Sequence, residues 1–151
     1  MAFLLDTSVV TRIAQPHQPQ YSSVMDTLVT LRLRGESLFL VPQVLVEFWV
    51  VCTRPSSVNG LGLTVAEAID EQRRLKRLCP VLADTASIYP EWERLIATYG
   101  VMGKQAHDAR VVAAMLVHRV THILTFNTRH FRRYHDITAV EPEITGRQLN
   151  D

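Results

Sequence analysis

The feature of this sequence that most limits its fold is a regular alternation of short apolar runs with longer stretches of helical spacing. Ala2 to Leu5 is a continuous apolar run, which is typical of a buried strand, and Thr7 or Ser8 can cap a helix directly after it. The pattern predicts strands at 2–5, 38–41, 122–126 and 138–140, with 81–83 as a further candidate, and helices at 7–14, 22–34, 42–51, 64–78, 90–99 and 105–119. Strands that alternate with helices predict an α/β fold, in which a central parallel sheet of four to five short strands has helices on both faces.

Length and composition are those of one globular domain. The chain has 151 residues, and a single domain commonly has roughly 100–200 residues. Its 47% hydrophobic and 21% charged residues exclude disorder as the main state. Because the sequence contains no repeat and no linker, we expect one domain over residues 1–151, with its core at about residues 2–142.

The cysteines and the apolar stretches indicate a cytoplasmic protein. Cys52 and Cys79 each lie in an apolar segment and form no Cys-x-x-Cys pair, which predicts buried, reduced thiols. The N-terminal apolar run has no basic leader and is interrupted by Asp6, so it does not resemble a signal peptide. The longest apolar stretches, 44–52 and 111–117, are much shorter than the roughly 20 residues that span a bilayer. We therefore expect no membrane association.

Three acidic residues lie in apolar surroundings, where a carboxylate is costly. Glu47 is the only charged residue of the third predicted helix, Asp108 precedes an apolar helical face, and Asp6 closes the first strand. Ligands of open parallel sheets bind beyond the carboxyl ends of the strands, where Asp6 and, by the same logic, Asn127 would project. Together these positions predict one pocket of hard oxygen ligands, which suit Mg²⁺ or Mn²⁺.

Each acid also has a purely structural alternative. Asp6 could cap the first helix, and Glu47 could extend its carboxylate to solvent or pair with a buried arginine. Asp108 is favoured electrostatically in the first turn of its helix. The sequence leaves these alternatives open for each residue taken singly, and the functional interpretation rests on the three acids together.

The motifs around these acids resemble those of a known family. They are L-L-D-T-S at Asp6, P-Q-V-L-V-E at Glu47, H-D-A-R-V-V-A-A at Asp108 and T-F-N-T-R-H-F from Thr125 to Phe131. In this order and at these intervals they resemble the PIN-domain ribonucleases, and in particular the bacterial VapC-like toxins of type II toxin–antitoxin systems. The resemblance covers nearly the whole chain, from residue 2 to about residue 142.

This resemblance implies a Mg²⁺- or Mn²⁺-dependent endoribonuclease that hydrolyses RNA phosphodiester bonds. It also implies an antitoxin protein as partner and a homodimer as the assembly. The residues that match the family's metal-binding acids are Asp6, Glu47 and Asp108. Thr7 and Ser8 match small hydroxylic residues beside the first acid, and Thr125 matches a threonine near the fourth acidic position.

The sequence departs from the family pattern at that fourth acidic position. Family members often carry an aspartate at position 127 or 130, where this chain has Asn127 and His130. Asn127 still offers a neutral oxygen, and we count it among the catalytic residues, but the lower negative charge argues against a firmly bound second metal. Two alternatives therefore stay open: a PIN nuclease of RNA processing without an antitoxin, and a catalytically weakened PIN-like module that binds RNA or protein.

The net charge of +1 is an average over two unlike parts of the chain. Residues 101–135 hold six basic residues and one acid, a formal charge of +5, whereas the remaining residues carry −4. A basic stretch beside an acidic pocket is expected where a phosphate backbone is bound. The predicted RNA-binding residues are Lys104, Arg110, Arg129, His130, Arg132 and Arg133.

Overall fold

The structure is a computed structural model that describes residues 1–142. Residues 143–151, the end of the predicted domain, lie outside the described residues. The strands are β1 (Ala2–Leu5), β2 (Ser37–Phe39), β3 (His122–Leu124) and β4 (Thr138–Val140). The helices are α1 (Thr7–Ile13), α2 (Gln20–Leu33), α3 (Pro42–Thr53), α4 (Val65–Leu78), α5 (Ile88–Tyr99) and α6 (Gln105–Val117).

The four strands form one parallel sheet with the order β2-β1-β3-β4. β1 lies at the centre beside β3, and Phe3 is the register partner of both Leu38 and His122. Leu4 and Leu5 are fully buried. Because successive strand residues point to opposite faces, both faces of the sheet are covered. The predicted α/β fold with a parallel sheet is confirmed.

The candidate strand at 81–83 is not formed. Val81 makes only an isolated parallel bridge with Leu40. The pairing stops there because β2 ends at Phe39, two residues before the predicted end, and Pro42 already begins α3. Proline lacks a backbone N–H and its fixed φ suits the first helical turn, so the chain leaves the sheet at this point.

The start of α4 and the end of α5 follow the sequence signals. The start of α1 does not: Thr7 and Ser8 are already helical, and Asp6, at the end of the extended segment, occupies the N-cap position. Thr64 and Glu67 form the capping box that their spacing predicts: Thr64 Oγ1 accepts the Glu67 N–H (3.1 Å), and the Glu67 carboxylate accepts the Thr64 N–H (3.0 Å). Gly100 ends α5 with a φ of 60°, a left-handed conformation that glycine adopts without strain. None of the helices within residues 1–142 has the length and apolar character needed to cross a membrane.

Candidate active site

Two of the predicted site residues are brought together where β1 and β3 end. Asp6 follows β1, and its backbone N–H donates to the Leu124 carbonyl of β3 (3.0 Å). Thr125 follows β3, and its N–H donates to the Val140 carbonyl of β4 (2.9 Å). Because the sheet is parallel, both residues lie at its carboxyl-terminal edge, where ligands bind in open α/β sheets.

Two hydroxyl groups hold the carboxylate of Asp6, which is 8% exposed. Thr125 Oγ1 donates to Asp6 Oδ2 (2.6 Å), and Ser8 Oγ donates to the same oxygen (3.0 Å). Each hydroxyl also accepts a backbone N–H, Thr125 from Asn127 (2.9 Å) and Ser8 from Phe126 (3.0 Å). Asp6 occupies the N-cap position of α1, but its side chain makes no capping hydrogen bond. The alternative that Asp6 caps α1 through its side chain is therefore not realised.

An ionised Asp6 carboxylate would have no cationic partner in the described part of the protein. Burial raises the pKa of Asp6 above its ordinary value, hydrogen bonds from Thr125, Ser8 and the Thr7 backbone lower it, and the charge of Glu47 raises it. Among residues 1–142, no basic side chain forms an ion pair with Asp6. A bound cation would relieve this electrostatic cost.

Replacing Thr125 with valine should destabilise the folded protein. The substitution keeps the shape of a buried side chain but removes the hydroxyl that donates to Asp6 and accepts from Asn127. Loss of a hydrogen bond to a charged group costs about 1.5–3 kcal/mol, and we expect that decrease in the free energy of unfolding, measured with urea. Thr138→Val, at an exposed position of β4, is the matched control and should cost less than about 0.5 kcal/mol. Equal losses in the two variants would show that the hydroxyl does not hold Asp6.

Glu47 is held on α3 by neutral partners. Thr7 Oγ1 donates to Glu47 Oε2 (2.5 Å), and Gln43, one helical turn earlier, donates to Glu47 Oε1 (3.1 Å). Gln43 is fixed in turn by the His107 carbonyl (2.7 Å) and by Arg110 (3.3 Å). In the part of the chain that the structure describes, no arginine forms an ion pair with Glu47. The alternative of a buried arginine partner is therefore not realised there.

Asp108 lies in the first turn of α6 and is partly buried. Its Oδ2 is 3.5 Å from Nδ1 of His130. Burial raises the pKa of Asp108, the charge of Asp6 raises it further, and His130 lowers it, while Glu47 makes a smaller raising contribution. The three carboxylates are therefore close enough to repel one another electrostatically.

The three carboxylates line one open cavity of about 560 Å³. Other predicted site residues that line this cavity are Thr7, Ser8, Asn127 and His130. A larger cavity of about 1120 Å³ adjoins it, and the two share Glu47, Asp108 and His130. Glu47 and Asp108 therefore border both cavities, whereas Asp6 lines only the smaller one.

The sequence of the chain matches the PIN-domain family over residues 3–137. The chain belongs to the PIN-domain family. The family that the motifs predicted is therefore confirmed. None of the curated proteins matches the sequence.

Several solved structures share the fold of this PIN domain. VapBC2 from Rickettsia felis, bound to a DNA fragment from its promoter, has a TM-score of 0.69 and 12% identity, covering 93% of this chain and 98% of that one. VapC20 from Mycobacterium tuberculosis, described as a sarcin-ricin loop cleaving toxin, has a TM-score of 0.61 and 16% identity over 87% and 95%. A toxin–antitoxin complex from Klebsiella pneumoniae has a TM-score of 0.60 and 15% identity over 92% and 96%. At these identities, the likeness shows a shared fold.

This PIN domain places the predicted RNA-binding residues at three locations. Four of them line the larger cavity: Lys104, Arg129, His130 and Arg133. Arg110 pairs with Asp84 (3.6 Å) and donates a hydrogen bond to Gln43. Within the described residues, it lines neither of the two cavities. Arg132 lines a separate depression beside Phe131. The larger cavity therefore holds the basic residues that lie next to the carboxylates.

Three further residues contact or line the site but were not among the predicted site residues. Gln43 lies four residues before Glu47, and this spacing alone would have indicated their contact on one helix. Arg12 and Arg54 line the smaller cavity. They come from α1 and from the end of α3, which meet only in the folded protein. No local pattern could have found these two arginines.

The donor chemistry of the site fits a divalent cation. Carboxylate oxygens are the ligands that Mg²⁺ and Mn²⁺ prefer, and Asp6, Glu47 and Asp108 line the same cavity. In the present conformation, no three His, Cys, Asp or Glu side chains of residues 1–142 form a group that could hold a metal ion. Glu47 contacts Thr7, and Asp108 faces His130. Mutual repulsion favours this separation of the carboxylates, and a cation would offset it.

Proposed function

We propose that this PIN-domain protein is a Mg²⁺- or Mn²⁺-dependent endoribonuclease that hydrolyses RNA phosphodiester bonds. The observation that carries the proposal is the position of Asp6, Glu47 and Asp108 on one cavity at the carboxyl-terminal edge of the sheet. Membership of the PIN-domain family supports it. The adjoining cavity, with its cationic side chains, supports RNA as the substrate.

In the proposed site, Asp6, Glu47 and Asp108 hold the divalent ion. The chemistry that a bound ion supplies is polarisation of the phosphate and activation of water. Thr125 and Ser8 fix the orientation of the Asp6 carboxylate through their hydroxyl groups. Asn127, which lines the same cavity, offers a neutral amide oxygen.

The cationic side chains of the larger cavity bind the RNA backbone beside the carboxylates. Lys104, Arg129 and Arg133 supply this positive charge, and Arg133 is oriented by a hydrogen bond to Gln105 (2.8 Å). Water adds its hydroxyl to phosphorus and its second proton to the departing 3′ oxygen. The products are a 5′-phosphate on one fragment and a 3′-hydroxyl on the other.

We also propose that the protein is the toxin of a type II toxin–antitoxin pair, acting in the cytoplasm as a homodimer. Solved structures of the same fold are described as a sarcin-ricin loop cleaving toxin and as a toxin–antitoxin complex, which supports a toxin role and an antitoxin partner. Cys52 and Cys79 are buried and unpaired, which is compatible with a reducing compartment. Growth arrest on expression in bacteria, relieved by a co-expressed neighbouring gene product, would support the pairing; unimpaired growth would contradict it.

RNA cleavage by the purified protein should require a divalent metal. We expect a structured RNA to be cut in Mg²⁺ or Mn²⁺, to stay intact in EDTA, and to be cut again when the metal is restored. Glu47→Gln should slow cleavage by roughly tenfold or more, since a loss of about 1.4 kcal/mol at the transition state already has that effect. Glu93→Gln, at an exposed position of α5, is the matched control.

Two outcomes of this experiment would count against the proposal. Cleavage that survives EDTA would contradict metal dependence. Retained RNA binding without cleavage, under all metal conditions, would favour the alternative of a PIN-like binding module.

A further inference from the structure

The smaller cavity extends from the carboxylates to a second group of cationic and polar side chains. Arg12 and Arg54 line this extension, which lies outside the larger cavity. Gln15 and Gln18 line it as well. An RNA strand that runs from the larger cavity past Glu47 and Asp108, which line both cavities, would enter this extension next.

The two arginines are free of acidic partners in the described structure. Over residues 1–142, neither Arg12 nor Arg54 forms an ion pair, whereas Arg74, Arg94 and Arg110 each pair with an acid. The Nε of Arg54 is buried and has no hydrogen-bond partner among the described residues. A guanidinium carries five N–H donors, so both side chains keep most of their capacity to bind an oxyanion.

Both guanidinium groups are held in place without being neutralised. Arg12 donates from Nε to Oε1 of Gln20, and its guanidinium carbon lies 5.8 Å from the centre of the Phe126 ring. Arg54 donates from Nη2 to the Asn59 carbonyl (2.9 Å). These contacts orient the arginines beforehand, which lowers the entropic cost of binding a ligand.

The loop after α3 is closed tightly against Arg54. A Cβ at Gly60 would lie 1.9 Å from the Arg54 carbonyl oxygen, so only glycine allows this approach. The N–H of Gly62 donates to the same carbonyl (2.9 Å), and the N–H of Leu61 donates to the Val51 carbonyl (2.9 Å). The loop is therefore a fixed wall of the cavity, and Arg54 is part of it.

We propose that Arg12 and Arg54 form a phosphate-binding subsite for single-stranded RNA, next to the scissile phosphate. The inference rests on the proposed nuclease function and adds a second cationic contact region to it. Three carboxylates repel RNA phosphates, and positive charge on both sides of them offsets this repulsion along the strand. The side-chain amides of Gln15 and Gln18 can donate to and accept from base edges, which are accessible only in unpaired RNA.

The salt dependence of RNA binding tests the subsite directly. The full-length chain would carry Asp6→Asn throughout, so that cleavage does not consume the probe, and a fluorescein-labelled, short single-stranded RNA would be titrated at a series of KCl concentrations. Each phosphate contact contributes about 0.7 to the slope of log K against log salt for single strands. Arg12→Gln and Arg54→Gln should each reduce the magnitude of the slope by about 0.7. Arg54→Lys keeps the charge and should leave the slope nearly unchanged.

A control and a second variant keep the test decisive. Arg94→Gln removes an exposed arginine of α5 that pairs with Glu91, and it should leave the slope unchanged. If Arg54→Gln does not fold, Arg12→Gln decides, because Arg12 lies on α1 and not in the loop after α3. If both glutamine variants keep the salt slope of the parent protein, the proposed subsite is wrong. An acidic protein partner would then be the alternative ligand of these arginines. Absence of salt-dependent RNA binding by the parent protein would instead overturn the proposed function, and the subsite with it.

Discussion

Replacing Asp6 with asparagine is expected to abolish RNA cleavage without lowering the thermal stability of the protein. The carboxylate is buried and has no cationic partner among residues 1–142. Asparagine has nearly the same shape, and its amide oxygen can accept the hydroxyl groups of Thr125 and Ser8. Because ionisation of a buried carboxylate is costly and an amide does not ionise, we expect a Tm equal to or above that of the wild type.

The loss of activity in this variant should be large. A metal ligand contributes several kcal/mol of transition-state stabilisation, and about 4 kcal/mol corresponds to roughly a thousandfold in rate. Asp26→Asn, at an exposed position of α2, is the matched control and should cleave at the wild-type rate. Cleavage by Asp6→Asn within tenfold of the wild type, or a loss of activity that accompanies unfolding, would contradict the assigned role.

The second large effect is stabilisation of the wild-type protein by Mn²⁺. A ligand that binds only the folded state, at a concentration of about 100 times its Kd, adds roughly 2.7 kcal/mol to the free energy of unfolding. For a chain of this length, that should raise the Tm by roughly 5–10 °C, and EDTA should reverse the shift. Asp6→Asn should lose most of the shift, because its amide replaces one of the three carboxylates. Equal shifts in the two proteins would place the metal elsewhere.

The pH dependence of stability without metal follows from the same carboxylates. The pKa values of Asp6 and Asp108 are raised above the ordinary 3.8, mainly by burial. The folded state therefore binds the protons of these two carboxyl groups more tightly than the unfolded state does. The stabilisation that results is complete below pH 3.8 and is lost as the pH rises through the raised pKa values of the folded state. In EDTA, the difference in unfolding free energy between Asp6→Asn and the wild type should grow as the pH rises from about 4 to 7. A difference that stays constant or shrinks would contradict these pKa directions.

The acids of the candidate site could be predicted because the sequence shows them in apolar surroundings, where burying a carboxylate costs free energy. A carboxylate in an apolar strand or helix pattern needs a partner, and Asp6, Glu47 and Asp108 stand in such patterns. Parallel strand order then predicts that residues beyond β1 and β3 share one edge of the sheet, and the predicted pair, Asp6 and Asn127, lines one cavity. Because β3 ends at Leu124, two residues before the predicted end, Thr125 is the residue that contacts Asp6. The fold and the meeting point of the acids were therefore accessible from local rules.

The cationic residues of the site were harder to predict from the sequence, because a count of charges does not show where each side chain points. Arg110 and Arg132 belong to the same basic stretch as Arg129, yet Arg110 pairs with Asp84 and Arg132 lines another depression. The position of each residue on its helix or turn decides which cavity or partner its side chain faces. A small error in a predicted element boundary therefore changes the predicted direction of the side chain. Arg54 depends on a loop whose path is set by tertiary contacts at Gly60. Packing between residues that are far apart in the sequence produces no local periodicity from which the position of Arg54 could be predicted.

The chemical ends of the cleaved RNA test the central claim most directly. If Asp6, Glu47 and Asp108 support metal-dependent hydrolysis, the fragments formed in Mg²⁺ or Mn²⁺ will carry 5′-phosphates and 3′-hydroxyls, and no fragments will form in EDTA. Ligation to an adaptor that requires a 5′-phosphate, together with mass spectrometry of the 3′ ends, would establish this. Fragments with 2′,3′-cyclic phosphates that form equally well in EDTA would contradict the account, because they arise from attack by the RNA's own 2′-hydroxyl, without water or metal.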